Sequence, residues 1–353
     1  MSWESTDRTM DLNEFKRQLQ GHFSDGLAII VGSGLSAAEG IPGMGKLADH
    51  LLENVPNRIT SEVQPEWSPI ASDLKNNIDL ESALSRNRPS DALEAVIVEL
   101  TSKLILEAER QVIEQVVNGN KTLRLTRLIP HLLKPENGIP IVTTNYDRLV
   151  EVAVEQSGLS LNTLFVGQHF GRLDPESSHL LLCKRIDKTK TGVKLNISKH
   201  AVVLKPHGSL DWYQHHSGPV RCPFPLGLQR LIITPGLNKY RDGYNKPFDS
   251  HRERANREID KASRYLILGF GFNDAHLQTH LESELERGKP ALVLTHSLTP
   301  HAEKLAKGSG RLTALCAAPD HLGTKVISKN GVESIPGASI WDLGHFIQDV
   351  LEP

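Results

Sequence analysis

LAIIVGSGLSAAEGIPGM, residues 27–44, runs five apolar residues straight into Gly-Ser-Gly. A short β-branched apolar run that stops at glycine reads as a strand buried on both faces of a parallel sheet. The residues after it, LSAAEG, read as a helix, so the stretch is a strand, a tight turn and a helix. Gly32 and Gly34 let backbone approach a pyrophosphate without a Cβ in the way. The helix start offers N–H groups and the positive end of a dipole, and Ser36 adds a hydroxyl. A plain strand-to-helix turn would use the same residues.

The dinucleotide fingerprint fits this stretch poorly. Gly-x-Gly-x-x-Gly needs a third glycine where Ala37 stands, and no acidic residue closes a second strand about twenty positions on. Asp49 and Glu53 fall in a helical pattern instead. The stretch is therefore not an ordinary hydride-transfer site.

Working outward, the same strand pattern recurs in IPIVTT (139–144), AVVLK (201–205), LIIT (231–234), YLILGF (265–270) and ALVLT (291–295). Helical patterns at 12–22, 146–157, 274–287 and 300–307 separate many of these runs. Strands alternating with helices predict an α/β fold built on a doubly wound parallel sheet. Between Gly45 and Pro135 no comparable strand occurs, so 46–135 is expected to be a helical insertion into a domain made of 1–45 and 136–353. A polar tract at roughly 214–258, including HRERANREIDKASR, is expected to form a second insertion.

Composition narrows the function classes. The chain has 353 residues and a formal net charge of −2, which gives no reason to expect strong direct binding of nucleic acid by charge. Cys183, Cys222 and Cys316 are its three cysteines, too far apart for a zinc pair or a disulfide framework. The start is too polar for a signal peptide, and no apolar run approaches a membrane span. The expectation is a cytoplasmic protein without a membrane segment, structural zinc or other metal.

Three further motifs carry polar groups at strand ends, where parallel sheets bind ligands. VTTNYDRL places Asn145 and Asp147 after one strand, either to hold a ligand or to cap the following helix. VVLKPHGSLDWY places His207 beside Gly208 after another, and histidine is the natural base near neutral pH. YLILGFGFNDAHL offers the backbone of Gly269 and Phe270 to an adenosine, while Asn273 and Asp274 either hydrogen-bond it or cap the next helix, Asp274 more readily the latter. In VLTHS, Thr295 and His296 end the next strand.

Taken in order, GSGLSAAEGIP, TNYD and HGS resemble the sirtuin family's Gly-Ala-Gly-x-Ser-x-x-x-Gly-Ile-Pro loop, Gln-Asn-Ile-Asp and His-Gly. The resemblance covers about half the chain. It implies an inverted Rossmann-like domain that binds NAD across strand ends. Gly32, Ser33, Gly34, Ser36, Ile41 and Pro42 would belong to the NAD loop. Asn145 and Asp147 match the pair at the nicotinamide ribose and nicotinamide pocket, and His207 matches the catalytic base. Gly269 falls in the family's adenosine-side Gly-Thr-Ser, with Phe270 and Gly271 replacing Thr and Ser; Asn273, Thr295 and His296 lie on the same side.

The departures bear on the reaction. The family's Cys₄ zinc ribbon is absent, GMG replaces the Asp-Phe-Arg after Gly-Ile-Pro, and ITPGLNKY stands where an acyl-peptide clamp would be. The profile is similar to the sirtuin-like NAD hydrolases of bacterial anti-phage defence, of the type encoded with a HerA-type ATPase. That resemblance implies cleavage of NAD, as substrate rather than cofactor, to nicotinamide and ADP-ribose. It also implies a homo-oligomer gated by a HerA-type partner. A zinc-free protein deacylase or ADP-ribosyltransferase, and a non-catalytic NAD or ADP-ribose sensor, are the alternatives.

Overall fold

The computed structural model describes residues 11–190, 192–235, 245–272, 275–319 and 322–352. Helix α1 (Leu12–Gln20) is capped by Asp11, whose carboxylate accepts from the N–H groups of Asn13 and Glu14. Strand β1 (Leu27–Val31) follows, and Ala28 through Val31 have no solvent exposure. Next come helices α2 (Ser33–Glu39), α3 (Met44–Asn54), α4 (Gln64–Lys75), α5 (Leu80–Arg86), α6 (Asp91–Val117) and α7 (Arg124–Leu128). The chain then runs through β2 (Ile139–Thr143), α8 (Leu149–Gln156), β3 (Ser160–Asn162), β4 (Phe165–Val166) and β5 (Gly171–Leu173). After these lie β6 (Cys183–Thr189), β7 (Gly192–Ile197), β8 (His200–Leu204), β9 (Gly208–His215), β10 (Gly218–Arg221) and β11 (Arg230–Ile232). The remainder is α9 (Phe248–Lys261), β12 (Arg264–Leu268), α10 (Ala275–Glu286), β13 (Ala291–Leu294), α11 (Pro300–Gly308), β14 (Leu312–Ala317), β15 (Gly323–Ser328), β16 (Gly331–Pro336) and α12 (Leu343–Phe346).

A nine-stranded sheet in the order β16-β15-β14-β13-β12-β1-β2-β8-β3 organises the molecule. From β14 to β3 neighbouring strands are parallel, and β15 and β16 extend one edge antiparallel. This is the expected α/β sheet, with helices on both faces. Alternation along β1 explains why: Ile29 and Val31 face a core shared with α1, α2, α6, α7, α8 and α12, while Ala28 and Ile30 face α9, α10 and α11. From β1 the chain builds one half of the sheet through β2 and β8, then crosses to the other side of β1 at β12. The β1/β12 junction is therefore a topological switch point, the place where an open α/β sheet leaves a crevice at its strand ends.

The elements described between β1 and β2 are all helical. Leu47, Leu51, Trp67, Ile70, Leu80 and Ile97 form a separate apolar cluster there. Helix α6 spans both cores: Leu93, Ile97 and Leu100 pack in the helical cluster, Ile105, Val112 and Val116 against the sheet.

Two sequence expectations change. LIIT contributes β11, which belongs not to the main sheet but to a five-stranded sheet, β11-β9-β10-β5-β4. The 214–258 tract is no single insertion: β10 and β11 lie in that second sheet, and α9 covers the main one. Its buried positions His251, Ala255 and Ile259 recur every four residues between charged ones, which hid the helix. Among the described residues no helix is long and apolar enough to cross a membrane.

Candidate functional site

The C-terminal ends of β13, β12, β1, β2 and β8, consecutive in the sheet, carry the sequence-selected residues in the same spatial order. Thr295 and His296 follow β13, Gly269 and Phe270 follow β12, the Gly32–Ser36 turn follows β1, Asn145 and Asp147 follow β2, and His207 follows β8. Five motifs scattered over most of the chain thus converge on one edge of one sheet.

At the switch point the two glycine turns interlock. Gly32 N–H donates to Leu268 O and Gly34 N–H to Gly269 O, both at 2.9 Å. A Cβ on Gly34 would lie 2.8 Å from Gly269 Cα, and one on Gly269 would lie 2.7 Å from Gly34 Cα. Gly269 also has φ +58°, where side chains are disfavoured. The need for glycine at 34 is thus met inside the protein, by backbone against backbone, and one amide at the helix start is already committed. Ser33 and Gly34 remain exposed, Pro42 is half-buried, and Ile41 is buried with its N–H on Ser36 O at 3.0 Å.

Asn145 is not a helix cap; α8 begins four residues later, with Arg148 at the N-cap. Its side chain instead crosses to β1, Nδ2 donating to Gly32 O at 2.9 Å and to Ser36 Oγ at 2.8 Å. With both amide hydrogens committed, Oδ1 is the end that can accept from a further group. Ser36 also hydrogen-bonds the Asp147 carboxylate, so one hydroxyl links the asparagine and the acid. Asp147 is 2% exposed and accepts at Oδ1 from Leu149 N–H at 3.2 Å. Burial pushes its carboxyl up to about 6, against the opposing pull of the Lys205 cation and the Ser36 hydrogen bond.

His207 is 7% exposed, at the bend from β8 into β9. Gly208 makes the bend with φ +87°, and a Cβ there would lie 2.9 Å from Phe248 Cε1. The bend is stitched to the β2 end: Leu210 N–H donates to Tyr146 O at 3.0 Å, and Tyr146 Oη donates to Ile233 O at 2.5 Å. Ile233 N–H in turn donates to His207 O at 2.9 Å. The Asn145–Asp147 and His207 segments are therefore held as one unit.

The outer positions are looser. Phe270 packs edge-on to Phe272, ring centres 5.3 Å apart. Thr295 Oγ1 donates to Ser297 O at 3.1 Å, and exposed His296 meets Trp341 edge-on at 5.1 Å. Asn273 lies outside the described residues, as do Asp274 and most of ITPGLNKY.

Beneath the site lies a set of buried charges that the motifs did not reveal. Lys205 is 1% exposed and pairs with Glu151 at 3.0 Å. Arg148 binds Glu109 at 2.5 Å, and Arg221 binds Asp211 at 2.7 Å. Burial opposes ionisation of Asp211, but Arg221 and Lys205 outweigh it and hold the carboxyl below the usual range. The available signal was AVVLK itself, since a lysine closing a fully apolar strand must find a buried partner.

A groove of about 1930 Å³ opens beside this edge, between α6 and the β9–β11 region. Arg148, next to Asp147 in sequence, lines it together with Leu210 and Ile232; Gly32, Asn145, Asp147 and His207 do not. The candidate site is thus the strand-end cluster, with the groove as its neighbour. Among the described residues, no group of three or more His, Cys, Asp or Glu side chains is placed to hold a metal ion.

Residues 140–310 match the family model described as a SIR2-like domain. No curated protein matches the chain. Among solved structures it is similar to one described under the structural basis of sirtuin substrate affinity: 13% identity, 82% of this chain and 90% of that one covered, TM-score 0.39. It is also similar to a Sir2 homologue–NAD complex, at 15% identity, 81% and 84% coverage and TM-score 0.37. A mutant Sir2 homologue in complex with ADP-ribose matches at 16% identity, 81% and 86% coverage and TM-score 0.36.

Proposed function

We propose that this chain hydrolyses NAD at the bond between nicotinamide and ribose. The observation that carries the reading is the convergence of Ser36, Asn145, Asp147 and His207 on adjacent strand ends, with the Ser36 hydroxyl linking Asn145 to Asp147. The SIR2-like match over 140–310 supports it.

In this reading the C1′–nitrogen bond breaks with its electron pair going to the nicotinamide ring, which leaves neutral. Water adds to the oxocarbenium-like C1′ and gives up a proton, so the products are nicotinamide, ADP-ribose and one proton. Asn145 Oδ1 holds the ribose hydroxyl or the attacking water. His207 accepts the proton, directly or through the ribose hydroxyls. Asp147, once ionised, accepts from the nicotinamide carboxamide and holds the ring turned away from the developing cation.

The test is chromatography of NAD incubated with purified protein, alone and with candidate partners. Equal amounts of nicotinamide and ADP-ribose without any acylated peptide are expected. Nicotinamide released only with an acylated peptide would replace this reading by a deacylase. Tight NAD binding without release would leave a sensor.

The resemblance to anti-phage NAD hydrolases supports three further parts of the proposal. The enzyme acts in the cytoplasm by depleting NAD, it works as a homo-oligomer, and a HerA-type ATPase partner gates it, since ungated hydrolysis would kill the host. A monomeric mass by light scattering, with full activity in the absence of partners, would overturn oligomeric gating. The spacing of the three cysteines supports a reaction without zinc. Stoichiometric zinc in chelator-washed protein would overturn that part.

A further inference from the structure

Lys205 is a charged side chain buried almost completely, two residues before His207 on the same strand end. Its Nζ donates to the carbonyls of Asp147 at 2.5 Å and Tyr146 at 3.3 Å, and to Glu151 Oε1 at 3.0 Å. Its own N–H donates to His251 Nδ1 at 3.2 Å. His251 is fully buried, and burial, then the Lys205 charge, depress its imidazole to about 3. It is therefore neutral, with its proton on Nε2, and adds no charge of its own. One lysine thus grips the backbone of the Asn145–Asp147 segment from β8 while its main chain is fixed to α9.

A structural ion pair would need only Glu151. Here the ammonium instead divides its three hydrogens between one carboxylate and the two carbonyls of the residues flanking the Asp147 amide, an arrangement that sets a loop's position. Resting on the proposed reaction, we infer that Lys205 is a positioning residue: it fixes the Asn145–Asp147 segment against His207 and, with Glu151, sets the charge balance around the Asp147 carboxylate.

The charges around Asp147 come from each surrounding element. Lys205 directly follows β8, Glu151 lies on α8, the Glu109–Arg148 pair joins α6 to the start of α8, and the Asp211–Arg221 pair joins β9 to β10. Glu109 raises the Asp147 carboxyl while Lys205 lowers it. Glu151, paired with Lys205, carries the opposite charge, so by sign alone its effect on the Asp147 carboxyl opposes that of the lysine. Removing the lysine cation makes Asp147 harder to ionise. Removing the Glu151 charge leaves the cation unbalanced and makes Asp147 easier to ionise.

The experiment uses Lys205→Met, Lys205→Arg and Glu151→Gln in the full chain, with two readouts. The first is hydrogen exchange of peptides covering 144–151, which needs no turnover. Lys205→Met is expected to raise exchange there at least about tenfold, and Lys205→Arg to restore part of the protection. The second is the pH profile of nicotinamide release. Its acidic limb should move up by about one pH unit in Lys205→Met and down in Glu151→Gln. Should Lys205→Met not fold, Glu151→Gln alone still decides by direction. Unchanged exchange in a folded Lys205→Met, or limbs that stay fixed or move the same way in both variants, would overturn the inference. Absence of NAD cleavage in the wild type with wild-type protection at 144–151 lost in Lys205→Met would sink the proposed reaction but keep the positioning role.

Discussion

The side-chain amide of Asn145 donates to the backbone carbonyl of Gly32 across 2.9 Å, joining the ends of two neighbouring strands through a buried contact. The same amide holds Ser36 Oγ at 2.8 Å. Asn145 thus has a structural duty as well as a proposed chemical one, and its variants should report both.

Asn145→Ala is expected to abolish nicotinamide release, because the water and ribose lose their orienting amide. It should also lower stability by about 1–3 kcal/mol, since two buried acceptors lose their donor. Thermal melts and NAD chromatography on the same preparation separate the two effects. Wild-type turnover by the variant would remove Asn145 from the site.

For His207→Ala the expected loss of turnover is about 10²–10⁴-fold, the usual cost of removing a general base. Single-turnover kinetics with saturating NAD, under whatever conditions activate the wild type, measures it. A variant as fast as the wild type would place the proton acceptor elsewhere.

Gly34→Val tests the interlocked turns. Its Cβ would stand 2.9 Å from Gly269 O, so the two strand ends must part. A stability loss of about 1–3 kcal/mol, typical of overpacking, is expected even without NAD. If the variant melts like the wild type and loses only NAD affinity, the space at Gly34 belongs to the ligand and not to Gly269.

Asp147 gives a pH signature. Burial lifts its carboxyl to about 6 from an ordinary 3.8. A folded value above the unfolded one means the group's contribution is most favourable below the unfolded value and is lost as pH rises through the folded one. At pH 8 the buried charge then costs about 3 kcal/mol, by conversion of that difference. Asp147→Asn should therefore melt higher than the wild type at pH 8, with the advantage gone near pH 4, while nicotinamide release falls. Equal melting differences at both pH values would mean that the carboxyl is not held in this way.

Much of this was legible in the residues. Fully apolar runs such as LAIIV and ALVLT read as strands buried on both faces, and β1 and β13 lie that way in the main sheet. Strand ends marked by glycine and polar residues point to the sheet edge where the candidate site lies, because a buried strand has nowhere else to put them. LIIT was misplaced because an apolar run shows that a strand is buried but not which sheet it joins. α9 was hidden because it buries His251, Ala255 and Ile259, a stripe with little hydrophobic contrast. The partner of Asn145 was out of reach, since an amide at a strand end reads as a helix cap until the neighbouring strand is in place. Lys205, in sequence, is only the last letter of an apolar strand, and nothing beside it names the carbonyls it binds.

The register of β1 has a consequence for how the protein is made. Leu27 pairs with Arg264 and Val31 with Leu268, so the central strand waits for a neighbour encoded near the far end of the chain. Pairing across so long an interval is slow and comes late in folding. A nascent chain stalled before β12 lacks one wall of the switch-point crevice, and Gly34 lacks the carbonyl its N–H binds. Products ending before β12 carry Asn145 and His207 but not the strand that closes the switch-point crevice beside Gly32 and Gly34.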